Sequence, residues 1–137
     1  TDKQVFEDLV QFAKAIGMLP LPSYKEQPGH LLNSMLVPFL ISALDLWVNE
    51  ISDPQTVDKA WMKSFGSPKG PFAILDIIGI NTVYNVAKLH AETNPLMARL
   101  MDRLEEEFIE PGHLGMPTGK GFYSYPNPSY ESNSFLQ

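Results

Sequence analysis

Apolar residues recur at helical spacing near the start of the chain, and the pattern stops at Gly17. Spacings of three and four residues place such side chains on one face of an α-helix, and glycine often adopts the left-handed conformation that ends a helix. Thr1 and Gln4 have the form of a capping box. The pattern therefore predicts a first helix from Thr1 to Gly17, with this apolar face: Val5, Phe6, Leu9, Val10, Phe12, Ala13 and Ile16.

The segment from His30 to Val48 is apolar nearly all round and follows a Pro28-Gly29 turn. A helix without a polar stripe must be covered on most sides, by its own domain or by a partner subunit. Pro38 has no amide hydrogen to donate, so we expect a kink or break there. The segment is long enough to cross a bilayer. However, Asn33 and Asp45 would be costly in lipid, which favours a buried core helix over a membrane span.

Capping signals divide much of the remaining chain into four shorter helices. Asp53-Pro54 and Asn94-Pro95 each place a capping side chain before a proline that suits the first helical position. Glycines and prolines mark most of the other ends. The predicted helices run from Pro54 to Gly66, from Pro71 to Gly79, from an Asn81 cap to about Thr93, and from Pro95 through Phe108.

The other segments are predicted to be extended or irregular. Pro20 and Pro22 cannot donate ladder hydrogen bonds, so residues 18–24 form an edge strand or an extended linker. After Pro111-Gly112, glycines interleave with aromatic residues, which is typical of turns around a short extended piece. The polar tail from Asn127 is expected to be loose. The sequence thus predicts one all-α domain of five or six helices with almost no sheet.

The composition excludes several functional classes. The net charge is −6 and no basic cluster is longer than a pair, so nucleic-acid binding is not expected. The chain has no cysteine, which excludes disulfides and thiolate chemistry. The polar start Thr1-Asp2-Lys3-Gln4 is not a signal peptide and carries no initiator Met. We therefore expect a cytoplasmic protein whose true N-terminus lies upstream.

No standard catalytic or metal-binding arrangement occurs in the sequence. His30, His90 and His113 are scattered, without a second ligand three or four residues away, so no metal site is predicted. The glycines of residues 115–121 lack the Lys-Ser/Thr ending and the following helix of a phosphate-binding loop. We expect a turn packed beneath aromatic residues instead, and we interpret the acidic residues 105–107 as a solvated helix face.

Three local patterns occur in a fixed order along the chain. They are P-G-H-L-L-N at residues 28–33, G-S-P-K-G-P-F at residues 66–72 with Leu75-Asp76 after it, and T-G-K-G-F-Y at residues 118–123. Together they resemble the C-terminal domain of the 3-hydroxyacyl-CoA dehydrogenases. In that family, P-G-F-x-x-N-R opens the first helix of the domain, G-x-P-x-G-P-F-x-L-x-D opens a later helix, and K-T-G-x-G-F-Y closes the chain.

The resemblance implies a domain organisation. Residues 1–24 are similar to the final helix and strand of the family's N-terminal, NAD-binding Rossmann domain, so this part would be a short extended remnant of that domain. Residues 25–125 resemble the helical substrate and dimerisation domain, and residues 126–137 form a polar tail. The NAD-binding glycine loop and a catalytic His–Glu pair would belong to the missing domain. The fragment alone is therefore expected to bind no NAD and to be inactive.

The resemblance also implies an activity: reversible hydride transfer between NAD and C3 of an L-3-hydroxyacyl-CoA of the 3-hydroxybutyryl-CoA type. Asn33 would be the catalytic residue of this domain, because its amide would fix the substrate relative to the base. Ser34, Lys69 and Pro71 are the expected substrate-binding residues. The helical domain would supply one wall of the acyl pocket and the contact of a homodimer.

Three positions depart from the family pattern and leave the substrate open. His30 replaces an aromatic residue, Ser34 replaces an Arg that could brace the helix, and Lys69 replaces a Met. Lys69 either contacts the CoA phosphates or is a solvated loop lysine. Two alternatives remain: a related 3-hydroxy-acid dehydrogenase of the gulonate or carnitine type, and a non-catalytic helical interaction module in which Asn33 bonds only local backbone.

Overall fold

The computed structural model describes residues 2–137, and helices dominate it. Between Asp2 and Gln137 no β-strand forms, and only isolated bridges join Lys120 to Gly115 and to Ser124. The predicted all-α class is therefore confirmed. The α-helices are α1 (Lys3–Ala15), α2 (His30–Val48), α3 (Pro54–Phe65), α4 (Pro71–Ile78), α5 (Ile80–His90) and α6 (Pro95–Leu104). A π-helix, Glu105–Ile109, extends α6, and two 3₁₀ helices follow at Met116–Thr118 and Ser129–Glu131.

Both predicted cap-and-proline signals start helices. Asp53 accepts a hydrogen bond from the amide of Thr56 at 3.0 Å, and Pro54 takes the first position of α3. Asn94 caps α6 in the same way by accepting from the amide of Leu96 at 3.0 Å. Local side-chain chemistry is sufficient to place these two helix starts, because each cap satisfies an amide that would otherwise lack a partner.

The predicted helix ends at two glycines are also confirmed. Gly17 has a φ of 80° and follows α1, and Gly66 has a φ of 64° and ends α3. At the start of α1, Asp2 is the cap and accepts from the amide of Gln4 at 2.8 Å. Thr1, to which the capping box was assigned, lies outside the described residues.

One predicted helix start is wrong. Helix α5 begins at Ile80, so Asn81 is not its cap. The amide of Ile80 donates instead to the carbonyl of Leu114 at 3.1 Å, and this tertiary bond replaces a capping side chain. Helix α2 continues through Pro38 without a break, because proline removes only one backbone hydrogen bond. The kink, the other expectation at Pro38, stays a prediction.

The chain divides into two compact units, one up to Leu36 and the other from Val37 to Gln137. The boundary between these units lies within α2. The domain boundary that the resemblance implies, between residues 24 and 25, stays a prediction. In the first unit no residue of α1 is buried, and the rings of Phe6 and Tyr24 lie 6.0 Å apart. Residues 18–24 form no strand, so the linker alternative applies.

An aromatic cluster forms the centre of the second unit. Trp47 of α2 meets the rings of Phe72, Phe108 and Phe122 edge-on, with centroid distances of 6.3, 6.0 and 5.3 Å. These distances fall in the range that favours aromatic pairs. The guanidinium of Arg103 lies 4.2 Å from the ring centroid of Trp47 and donates to its carbonyl at 2.7 Å. The C-terminal half of α2 is thereby anchored in the core.

Helix α2 is covered along only part of its length. Its C-terminal half is buried at Leu40, Leu44 and Trp47, whereas Leu32 and Met35 are 64% and 68% exposed. The sequence predicts that α2 is covered on most sides, and in the structure only its C-terminal half has buried residues. Among the single helices within residues 2–137, α2 alone has the length and apolar composition of a membrane span. Its packing in the second unit is that of a core helix.

The C-terminal tail packs against the second unit, which corrects the prediction of a loose tail. Tyr130 and Phe135 are 4% and 6% exposed. Their ring centroids lie 4.9 and 6.3 Å from that of Tyr123. The two aromatic side chains bury enough apolar surface to hold a segment whose other residues are mostly polar.

Candidate functional site

The start of α2, residues 27–34, carries the predicted catalytic residue. The chain turns at Gly29 and His30, which have φ angles of 78° and 53°. The amide of His30 donates to the carbonyl of Gln27 at 3.0 Å, and the amide of Asn33 donates to that of Gly29 at 3.2 Å. A left-handed residue with a Cβ costs about 1–2 kcal/mol. Backbone strain at His30 is therefore part of how the chain enters α2.

The side chain of Asn33 is exposed and makes no hydrogen bond to the described residues of its own unit. The neighbouring Ser34 hydroxyl is bonded locally: it donates to the carbonyl of His30 and accepts from Nε2 of Gln27 at 3.1 Å. Asparagine near a helix start commonly bonds its local backbone. Because Asn33 does not, its carboxamide keeps both a donor and an acceptor available.

An open cleft of about 900 Å³ lies in the first unit beside this segment. Its lining includes Lys3, Lys25, Glu26 and His30. The lining carries charges of both signs, so the cleft does not select one class of ligand by charge alone.

In the second unit, a carboxylate from α3 holds the start of α4. The cap position of α4 is Gly70, which has no side chain, and the free amides of Phe72 and Ala73 donate to Asp58 at 2.8 and 3.0 Å. The hydroxyl of Tyr123 donates to the same carboxylate at 2.8 Å. Asp58 therefore supplies, from another helix, the cap that α4 lacks.

A second carboxylate holds the third sequence motif against α4. Asp76 accepts from the amides of Phe122 and Tyr123, both at 2.9 Å, and from the hydroxyl of Tyr125 at 3.0 Å. Tyr123 thus links the two carboxylates, through its amide to Asp76 and through its hydroxyl to Asp58. We refer to Asp58, Asp76, Tyr123 and Tyr125 as the carboxylate clamp. Both aspartates are 0% exposed.

Burial dominates the protonation of the clamp. Desolvation raises the pKa of Asp58 and of Asp76, although each accepts hydrogen bonds that favour its charged form. Burial also raises the pKa of Tyr123 and of Tyr125, and the adjacent carboxylates raise it further, because ionising either hydroxyl would bring two negative charges together. The two tyrosines therefore stay neutral and keep donating to the aspartates.

The clamp explains the glycines of the second and third motifs. A Cβ at Gly70 would overlap Asp58, and a Cβ at Gly121 would overlap Oδ1 of Asp76. A Cβ at Gly115 would overlap the backbone oxygen of Asp76. The third motif is thus a tight turn packed on the core, as predicted. It is not a phosphate-binding loop, because the amides that follow Gly121 already bond a carboxylate.

The predicted substrate-binding residues of the second unit lie at the connection between α3 and α4. The ammonium of Lys69 lies 5.8 Å from the ring centroid of Tyr130, within the range of a cation–π contact. Pro71 starts α4 and is less than 2% exposed, so it packs in the core and presents no surface to a ligand. The structure brings Asn33 and Ser34 together on one turn of α2, and it brings Lys69 and Pro71 together on this connection.

Sequence reasoning missed Asp58 altogether. Its signal was present: Asp58 follows the apolar Val57 in a predicted helix, and the next predicted helix begins at Pro71, after a glycine that has no capping side chain. A buried carboxylate that caps a neighbouring helix fits both observations. Recognising it requires knowing that α3 and α4 pack together.

The described residues offer no site for a metal or a dinucleotide. Within residues 2–137, no group of three His, Asp or Glu side chains converges as metal ligands. A dinucleotide fold needs a strand, a glycine turn and a helix in succession, and the described part of the chain contains no strand. These residues do not fit NAD.

The second unit also has a small apolar groove of about 130 Å³, formed by α2, α4, α5 and α6. Residues on its rim are partly exposed: Val37 is 44%, Ile78 39% and Val86 46% exposed. Such a surface suits an apolar group or another protein surface.

Comparison with known proteins gives a consistent result. A family model described as the 3-hydroxyacyl-CoA dehydrogenase C-terminal domain matches residues 29–125. Human mitochondrial hydroxyacyl-coenzyme A dehydrogenase is 35% identical over an alignment of 131 positions, which covers 91% of this chain and 40% of that protein. A 3-hydroxybutyryl-CoA dehydrogenase from Clostridioides difficile is 26% identical over an alignment of 133 positions, which covers 91% of this chain and 44% of that protein. The chain thus spans about 40% of the length of these relatives.

Solved structures show the same similarity. A diketoreductase, studied for its dual catalysis of dicarbonyl compounds, is 46% identical with a TM-score of 0.84 and covers 91% of this chain and 43% of its own. The (S)-3-hydroxybutyryl-CoA dehydrogenase of Ralstonia eutropha is 28% identical with a TM-score of 0.71, covering 93% of this chain and 44% of its own.

Proposed function

This chain belongs to the 3-hydroxyacyl-CoA dehydrogenase family and forms its C-terminal domain, and we propose that it acts with a dinucleotide-binding domain in the NAD-dependent oxidation of an L-3-hydroxyacyl-CoA. The resemblance seen in the three motifs is confirmed by this membership. The names of the relatives, hydroxyacyl-coenzyme A dehydrogenase and 3-hydroxybutyryl-CoA dehydrogenase, support the substrate class.

Within this chain, the free carboxamide of Asn33 carries the proposal. An amide can donate to a substrate oxygen and accept from a hydroxyl without adding a charge beside the base. It would hold the C3 oxygen in position for proton transfer to a base in the other domain. Ser34 would line the same turn of α2. Lys69 would meet a phosphate of CoA through its ammonium, and Pro71 would fix the connection that carries Lys69.

Helix α1 supports the proposal of a partner domain. One face of the helix is apolar and exposed: Val5, Leu9 and Phe12, with Ile16 at the helix end, are 49 to 61% exposed. A helix of this kind normally buries its apolar face against another layer. We propose that residues 1–24 belong to the dinucleotide-binding domain and that its sheet covers this face. That domain would also bind NAD.

We further propose that the protein is a homodimer through the helical domain. The second unit exposes several large apolar residues on α4 and α5, including Ile77 at 43% and Leu89 at 78%. Two-fold pairing is the usual way in which such surfaces are covered in soluble oligomers. Light scattering at micromolar concentration is expected to give twice the chain mass, and a clean monomer would contradict the dimer.

The similarity to the diketoreductase favours a second candidate function, the reduction of a free dicarbonyl compound. That protein is 46% identical to this chain, whereas the human acyl-CoA enzyme is 35% identical. Ser34 stands where the family has an Arg, which also leaves the substrate open.

The two candidates are separated by kinetics with the protein encoded by the complete reading frame. NADH formation is measured with L-3-hydroxybutyryl-CoA, and NADH consumption is measured with a free 1,3-dicarbonyl compound. A higher kcat/KM for the CoA thioester supports the first candidate, and a higher value for the free compound supports the second. Activity with neither substrate would contradict both.

The cytoplasmic location and the absence of membrane binding remain proposals. The mammalian relatives are named as mitochondrial proteins. Fractionation of cells that express the protein would place it, and recovery in the membrane fraction would contradict both expectations.

A further inference from the structure

The C-terminal tail, residues 126–137, lies beyond the part of the chain that the family model matches, which ends at residue 125. It nevertheless packs closely on the second unit. Tyr130 and Phe135 bury their rings around Tyr123, as described above. The tail is therefore attached to the clamp at its centre, because Tyr123 is the residue that links both clamp carboxylates.

The tail also covers two lysines. Nζ of Lys59 lies 5.0 Å from the ring centroid of Phe135, and Nζ of Lys69 lies 5.8 Å from that of Tyr130. Both distances are within the range of about 6 Å in which a ring face attracts an ammonium. Each ring replaces part of the water around a positive charge, and Lys69 is accordingly half-buried.

The contact with Lys69 is made by the ring of Tyr130. The hydroxyl of Tyr130 is buried and makes no hydrogen bond to Lys69. A variant that keeps the ring and loses the hydroxyl therefore keeps this contact.

We propose that residues 126–137 form a strap that holds Lys69 against Tyr130 and so limits the contact of Lys69 with a phosphate of the substrate. The strap would affect substrate specificity. While it holds Lys69, the preference of the enzyme for a CoA thioester over a thioester without phosphates is weaker. The inference rests on the proposed function only in the assignment of Lys69 to CoA.

The strap itself is tested by lysine labelling with an amine-acylating reagent and mass spectrometry. Tyr130→Leu removes the aromatic face, and Tyr130→Phe is the matched control that keeps the ring. The rate at Lys69, relative to the exposed Lys63 on α3, is expected to rise about two- to fivefold in Tyr130→Leu, the size of one exposed cation–π contact. The labelling rate at Lys69 stays unchanged in Tyr130→Phe. If Tyr130→Leu melts below the assay temperature, Tyr130→Met takes its place.

The substrate assignment is tested separately by kinetics. In the complete protein, Tyr130→Leu is expected to lower KM for 3-hydroxybutyryl-CoA about two- to fivefold. KM for the matching pantetheine thioester, which lacks the phosphates of the nucleotide, stays constant. Lys69→Met is expected to abolish the difference. Unchanged labelling of Lys69 overturns the strap, whereas increased labelling with equal effects on both thioesters overturns the assignment of Lys69 to CoA in the proposed function.

Discussion

The start of α2 and the carboxylate clamp both include residues of the three sequence motifs, yet their polar groups are bonded in opposite ways. Asn33 is exposed and keeps its donor and acceptor free. Asp58 and Asp76 are completely buried, and each accepts three hydrogen bonds. Buried polar groups must be satisfied for the chain to fold, whereas a group that serves a substrate is left unsatisfied until the substrate binds. Whether a polar side chain is already hydrogen-bonded, more than its place in a motif, therefore distinguishes a structural residue from a candidate substrate-binding residue.

The comparison predicts that altering a clamp carboxylate causes the largest loss in the free energy of unfolding. Asp58→Asn keeps the size of the side chain but replaces one accepting oxygen by an NH₂ group. That group would face an amide or a hydroxyl that also donates, so a buried donor loses its partner. We expect the free energy of unfolding to fall by about 3 kcal/mol. Urea unfolding, followed by the fluorescence of the two tryptophans, Trp47 and Trp61, measures the change.

Asp53→Asn is the matched control for this variant. It makes the same chemical change on the same helix, at an exposed cap where asparagine serves as well as aspartate. Its expected effect is below about 0.5 kcal/mol. Equal losses in the two variants would contradict the distinct role of Asp58.

The second prediction concerns the tight contact of the third motif with α4. Gly121→Ala places a methyl group against Oδ1 of Asp76, so either the turn or the carboxylate must shift. Overpacking of this kind costs about 1–3 kcal/mol, and we expect the upper part of the range. Gly119→Ala is the control: its Cβ meets no atom within 4 Å, and only the φ of 78° opposes it, at about 1 kcal/mol. Thermal unfolding of the two variants should rank them in this order.

The third prediction follows from the tyrosines of the clamp. The folded pKa of Tyr123 is raised above the ordinary value of 10.0. Above pH 10 the unfolded chain therefore releases a proton that the folded chain retains. The stability contributed by this group is complete below pH 10 and falls above it, by up to about 1.4 kcal/mol per pH unit.

Tyr123→Phe tests this pH dependence directly. The variant is less stable at neutral pH, because Asp58 loses one donor, by about 1 kcal/mol. Its stability should then decline less steeply above pH 10 than that of the unmodified protein. Urea unfolding at a series of alkaline pH values gives the two slopes, and identical slopes would show that Tyr123 does not control the alkaline loss.

Local signals in the sequence were sufficient for the helices whose ends depend on adjacent residues. Asp53, Asn94 and Gly66 each act within one turn, and their predicted roles are confirmed. The start of α5 depends instead on the carbonyl of Leu114, far along the chain, and no local pattern indicates it. The tail shows the same limit, because a mostly polar segment is held by Phe135 and one other buried ring.

The candidate site was predictable to a similar extent. The motif places Asn33 on the first turn of α2, but the freedom of its carboxamide is visible only in the structure. The clamp depends on pairs distant in sequence, such as Asp76 and Tyr123, which are separated by 47 positions. Pro71 is buried and packs in the core, which the motif alone does not indicate. Its role at the substrate stays a prediction.

The smallest effect on stability is expected at Asn33, and it sharpens the comparison most. Asn33→Ala removes no hydrogen bond within its unit, so the free energy of unfolding should change by less than about 0.5 kcal/mol. In the complete protein, loss of a hydrogen bond made in the transition state should lower kcat for 3-hydroxybutyryl-CoA about one hundred- to one thousandfold, which corresponds to about 2–4 kcal/mol. NADH affinity should stay constant, because Asn33 would contact only the substrate. If kcat instead stays within a factor of a few and the melting temperature falls, Asn33 is a helix-start residue like any other. The α2 segment and the clamp would then share one structural role.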